Sequence, residues 1–207
     1  MPDADRFAPF EKMIDPDRAL AILRDATAGA DDGDLFLERA RAEVMTYDDG
    51  RLKSATYSAE EGFGLRAVRG EVAGFAHSSE ISEAAMRRAA DTARLAVGDG
   101  GGTIAPAPKG TNRKLYGDAD PLLDAGFGVK VETLKDIDAY ARGLDHRVVQ
   151  VSATVAAGLQ EVFILRPEGT LVSDIRPMTR LNVSVIVEAN GRRETGGHGG
   201  GGRSGLT

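Results

Sequence analysis

Apolar residues recur along this chain in alternating blocks of two periods, one near 3.6 residues and one of 2. Ala19, Ile22, Leu23 and Ala26 share one face of a predicted helix that Asp15 caps, Pro16 begins and Gly29 ends. A strand is expected from Asp34 to Thr46, with Leu35, Leu37 and Arg39 opposed to Phe36, Glu38 and Ala40. Asp48-Asp49-Gly50 is a hairpin turn, since glycine accepts the positive φ of a tight reversal, and Arg51–Ser58 returns from it. Gly62–Arg69 and Glu71–Ser78 form a further predicted hairpin turning at Arg69-Gly70. A second helix follows from about Ser82 to Val97, with Ala85, Met86, Ala89, Ala93 and Ala96 on one side, a small face suited to close packing on a sheet.

The pattern then lapses between Gly98 and Gly128, a stretch holding Gly100, Gly101, Gly102, Pro106, Pro108 and Pro121, and resumes with a helix over Lys130–Leu144. Leu134, Ile137, Ala141 and Leu144 are its expected buried stripe, and Thr133 with Asp136 resembles a capping pair. Strands are predicted at Val148–Ala156, Gln160–Leu165, Thr170–Ile175 and Thr179–Glu188, with Pro167-Glu168-Gly169 as a turn. Leu181, Val183, Val185 and Val187 face one way in the last of them. After Asn190-Gly191 the alternation dissolves into glycine, which reads as an unanchored loop. The expected fold class is α+β: two units, each a mostly antiparallel β-sheet with packed helices, the second incomplete. The expected domains are residues 1–98, a Gly/Pro-rich linker over 99–125, and a β-rich unit over 126–207.

Composition sharpens this picture. Of 207 residues 42% are hydrophobic and 28% charged, enough to build a core, but only 5% are aromatic and none is Trp, so Ala, Val, Leu and Ile must fill it. There is no cysteine, which excludes a disulfide scaffold, a thiolate metal site and a cysteine nucleophile within these residues. A net charge of −6 argues against nucleic acid or an anionic membrane as partner. No apolar span nears the ~20 residues of a membrane helix, and Met1-Pro2-Asp3-Ala4-Asp5-Arg6 lacks a signal-peptide core, so a soluble, cytoplasmic protein is expected.

Candidate chemistry is sparse. His77, His146 and His198 are scattered, and no His-Glu-x-x-His pair exists. No Gly-x-Ser-x-Gly elbow is present, and the acidic pairs Asp31-Asp32, Asp48-Asp49 and Glu60-Glu61 fall in turns or strand ends. No catalytic or metal-binding residue is therefore expected in this chain. The run Gly196-Gly197-His198-Gly199-Gly200-Gly201-Gly202-Arg203 satisfies a dinucleotide-type glycine spacing, but no helix follows it and the P-loop lysine is missing. Its remaining use is a bare backbone that another chain can approach, with Arg203 available to a carboxylate. Gly199, Gly200, Gly201, Gly202 and Arg203 are thus the candidate substrate-binding residues.

Several segments in order resemble the TldD/PmbA (TldD/TldE) family: Gly33-Asp34-Leu35-Phe36-Leu37-Glu38, Asp49-Gly50-Arg51-Leu52, Gly62-Phe63-Gly64-Leu65-Arg66, Gly74-Phe75-Ala76 and an Ala-rich helix. The tail Gly199-Gly200-Gly201-Gly202-Arg203-Ser204-Gly205 looks like its TldD branch. The resemblance implies a cytoplasmic zinc metalloprotease that cleaves unfolded or flexible peptides, including peptide precursors, as a heterodimer with a TldE/PmbA-like subunit. It also implies a zinc site built from a His-Glu-x-x-x-His helix and a distant Cys, neither of which this sequence contains. These residues are accordingly expected to be the N-terminal part of such a protease, inactive alone and contributing peptide binding and assembly. The alternative is a noncatalytic partner or adaptor of the PmbA/TldE kind.

Overall fold

The structure, a computed structural model, describes residues 6–98 and 117–205, so most of the Gly/Pro-rich stretch lies outside the described residues. Its elements in chain order are α1 (Pro9–Lys12), α2 (Pro16–Ala26), β1 (Asp32–Asp48), β2 (Arg51–Arg69), β3 (Val72–Ser78), α3 (Glu83–Val97), α4 (Phe127–Leu144), β4 (Val148–Leu165), β5 (Leu171–Ala189) and β6 (Arg192–Gly202). The strands form one six-stranded sheet in the order β3-β2-β1-β4-β5-β6, with β2–β3 and β5–β6 antiparallel, and the expected α+β class holds. Two compact units divide the described residues. The first takes residues 6–40, 60–98 and 161–174, and the second takes 41–59, 117–160 and 175–205.

In the first unit, the Asp15 carboxylate accepts the Arg18 backbone N–H at 3.0 Å, which caps α2 as expected, and Ala19, Ile22, Leu23 and Ala26 are buried. Ser82 caps α3 by accepting from Ala85 N at 3.2 Å. Both helices pack with Leu35 and Leu37 of β1 and Phe63, Leu65 and Ala67 of β2 in one core. The alanine face of α3 has a precise cause: a Cβ on Gly74 of β3 would collide with the Ala93 carbonyl oxygen. Glycine on the strand is what lets the helix backbone come this close.

Two buried or half-buried acids tie the unit together. Glu161 accepts Phe7 N–H at 3.1 Å and pairs with Arg39 at 2.8 Å, while the Arg39 guanidinium lies 5.7 Å over the Phe7 ring. Asp32 receives Arg66 and Arg166, each at 2.8 Å. Burial pushes the Asp32 carboxyl up, but the Arg166 and Arg66 guanidiniums outweigh it and hold the group below the usual carboxylate range.

The second unit centres on α4, whose Leu134 packs with Met45, Tyr47, Ala153 and Val155. Here the structure departs from the pattern. Lys130 and Asp138 belong to the buried face, whereas Leu144 is 67% exposed. Thr133 is no cap: α4 begins six residues earlier, at Phe127 after Gly126, and the Thr133 hydroxyl donates to Val129 O at 2.9 Å. The sequence breaks between the paired strand predictions are absent too, because 51–58 with 62–69, 148–156 with 160–165, and 170–175 with 179–188 each join into one long strand. The first unit therefore draws on three strands before α3 rather than four.

The glycine tail is the largest correction. Asn190 and Gly191 take φ of 53° and 73°, a hairpin reversal, and residues 192–202 then pair along β5 from Ala189↔Arg192 to Thr179↔Gly202. Glycine has no side chain to alternate, so a strand of this composition leaves no period in the sequence.

Two outcomes test this account. Gly74→Ala should lower the unfolding free energy by about 2 kcal/mol in urea titrations, as overpacking does, with little change in slope. Asp32 has a depressed folded-state pKa, so its stabilisation is present above the unfolded value of about 3.9 and lost as pH falls through the folded value. The stability gap between the native chain and Asp32→Asn should therefore be constant near neutrality and close on acidification below about pH 4.

Candidate functional site

The second unit holds a cleft of about 440 Å³ between α4 and the β5–β6 end of the sheet. Residues directly opposite in an antiparallel pair point to the same side. Leu181↔Gly200 and Val183↔His198 are such pairs, and Leu181 and Val183 pack toward Leu134, so His198 and Gly200 face the helix. Val129, Thr133 and Leu134 line the cleft from α4. Arg180 and Asn182 alternate to the other face, where Arg180 Nε donates to Asn182 Oδ1 at 3.1 Å.

The β6 glycines differ by face. A Cβ on Gly201 would strike the Thr179 carbonyl oxygen and one on Gly199 the Asn182 amide oxygen, whereas a Cβ on Gly200 would meet nothing within 4 Å. Gly201 thus allows the backbones to close, and Gly200 leaves the cleft open. β6 is also the last strand of the sheet, so its outer backbone edge has no neighbouring strand among the described residues.

Buried charge fixes the helix over the cleft. Lys130, 5% exposed, donates to Glu43 of β1 at 2.6 Å and to Leu122 O at 3.0 Å. Arg41 pairs with Asp120 at 2.9 Å, and the same carboxylate accepts Leu122 N–H at 3.0 Å. The segment leading into α4 is thereby strapped to β1 at two points. Farther along, Arg142 joins Asp138 at 3.0 Å and Asp49 at 2.7 Å.

Of the candidate residues, Gly199, Gly200 and Gly201 line the cleft, Gly202 pairs with Thr179 at the strand's end, and Arg203 follows it. The α4 contributors went unread in the sequence, since Val129 and Thr133 fall outside its core-facing stripe and only the strand pairing reveals what they face. His77 stacks on Phe75 at 5.7 Å in the first unit, beside a hollow of about 480 Å³, and the His146 side chain is 94% exposed. Among the described residues, no three His, Cys, Asp or Glu side chains are grouped to hold a metal ion. These donors do not fit a catalytic zinc. No described helix is long and apolar enough to cross a membrane.

This α+β fold is shared with domains of a metallopeptidase family. Residues 33–97 match the PmbA/TldA metallopeptidase domain 1 and residues 120–207 the PmbA/TldA metallopeptidase central domain. The chain belongs to the PmbA/TldD metallopeptidase family. It is 37% identical over 179 residues to the metalloprotease TldD homolog of Haemophilus influenzae, covering 85% of this chain and 37% of that protein. It is 34% identical over 194 residues to the TldD homolog of Buchnera aphidicola from Acyrthosiphon pisum, covering 93% and 40%. The chain thus spans about two fifths of the length of these relatives. TldE from Thermococcus kodakarensis shares the fold with a TM-score of 0.69 at 14% identity, over 90% of this chain and 43% of that one. A Thermotoga maritima structure described as a candidate modulator of DNA gyrase does so with a TM-score of 0.72 at 14% identity, over 91% and 42%.

The strap over the cleft yields a prediction. Glu43→Ala leaves the Lys130 ammonium buried without its partner and should cost about 3 kcal/mol of stability, while Glu43→Leu with Lys130→Met should cost much less. A double-mutant cycle followed by chemical unfolding measures the difference.

Proposed function

We infer that this chain is the peptide-binding and assembly portion of a TldD-like zinc metallopeptidase subunit, cytoplasmic and paired with a TldE/PmbA-like subunit. Its substrates are unfolded or flexible peptides, including precursors that mature by proteolysis. One observation carries the reading: a glycine-bare edge strand, β6, borders an open cleft in the family's central domain. An extended peptide can add to such an edge through main-chain hydrogen bonds, which are indifferent to sequence and demand an unfolded substrate. Gly199–Gly202 provide the close approach, and Arg203, just past the strand, meets a substrate carboxylate.

Hydrolysis needs ligands for the zinc, a water activated by it and a carboxylate to take the proton. With three scattered histidines and no thiol in the sequence, the zinc and its chemistry are assigned to residues other than these 207. Identities of 37% and 34% to proteins named TldD homologs favour the TldD branch over the noncatalytic alternative.

The purified 207-residue chain should retain fluorescent casein on a sizing column, hold well under one zinc per chain by metal analysis, and leave the casein intact. Stoichiometric zinc with chelator-sensitive cleavage, or no casein binding, would overturn the proposal.

A further inference from the structure

Resting on the strand-addition reading, we propose that the cleft beneath α4 is a specificity pocket for one large, uncharged apolar side chain of a peptide paired along β6. Three observations define the occupant. The walls are apolar, with Val129 and Leu134 from the helix, Val155 from β4, and Leu181 and Val183 from β5. The volume, about 440 Å³, exceeds what a methyl group fills and suits a bulky residue. The charge is balanced: no carboxylate lines the cleft, and its one ammonium, Lys130, is already neutralised by Glu43 at 2.6 Å. A charged guest would lose its water without gaining a partner there, apart from the exposed imidazole of His198 and Arg180, whose guanidinium is engaged with Asn182 at 3.1 Å.

The entry route is Gly200. Side chains directly opposite on neighbouring strands lie about 5 Å apart on one face. A strand added outside β6 places one side chain level with Gly200, where β6 offers nothing to block it and where a Cβ finds open space. That side chain can lean across the strand into the cleft, while its neighbours two residues away meet His198 or the end of β6. The pocket therefore reads a single position in an otherwise sequence-tolerant pairing.

The test uses the 207-residue chain and fluorescein-labelled nonapeptides of Thr and Ser with one central guest: Phe, Leu, Ala, Asp or Lys. By anisotropy, Phe and Leu guests should bind about tenfold tighter than Ala, as burial of one large apolar side chain implies, and Asp and Lys no tighter than Ala. Gly200→Val adds a side chain without a backbone collision, so it should fold and bring all guests within about twofold of one another. Equal binding of all guests to the native chain, or a preference that survives Gly200→Val, overturns the pocket and leaves strand addition standing. Binding of none of the peptides overturns both.

Discussion

A segment made almost wholly of glycine can hold a place in a folded protein only through its main chain, and the pairing of β6 on β5 is that case. Every residue from Arg192 to Gly202 finds a partner on β5, and the collision that a Cβ at Gly201 would make with the Thr179 carbonyl oxygen shows how closely the strands approach. Glycine in a strand carries an entropic cost relative to other residues. Here the return is an edge with little side-chain cover and, at Gly200, an unobstructed way into the cleft.

The cleft exists because α4 is held off the sheet at a set height, and buried charge holds it. Lys130–Glu43 and Arg41–Asp120 join the helix and its lead-in to β1. Buried ion pairs seldom add net stability over well-packed apolar groups, yet they are directional where apolar contacts are not. The first unit shows the opposite solution: Gly74 meets the Ala93 backbone with no room for a side chain between them.

The helices of the first unit were legible because their information is local. Asp15 and Ser82 cap the helices that follow them, and the alanines of α3 sit at helical spacing. The family resemblance was legible for a related reason, since its segments lie at turns and strand glycines whose backbone needs admit few residues. The strand count was not. Glu60-Glu61 and Ala157-Gly158 looked like breaks, but a long strand exposed on one face tolerates polar and small residues once its neighbours supply the hydrogen bonds. Lys130 and Asp138 were likewise unreadable as core residues, because a charged side chain is buried only when a partner distant in sequence, such as Glu43, is there to meet it.

By itself, then, the sequence determined the α+β class, the capped helices of the first unit, the hairpin turns and the family, all properties carried by residue type and near spacing. Only the tertiary structure decided that the glycine tail is an edge strand, which of its faces is closed and which open, and that α4 roofs a cleft over it. Those depend on strand register and on ion pairs between distant residues, and neither register nor a distant partner leaves a period in a run of glycine.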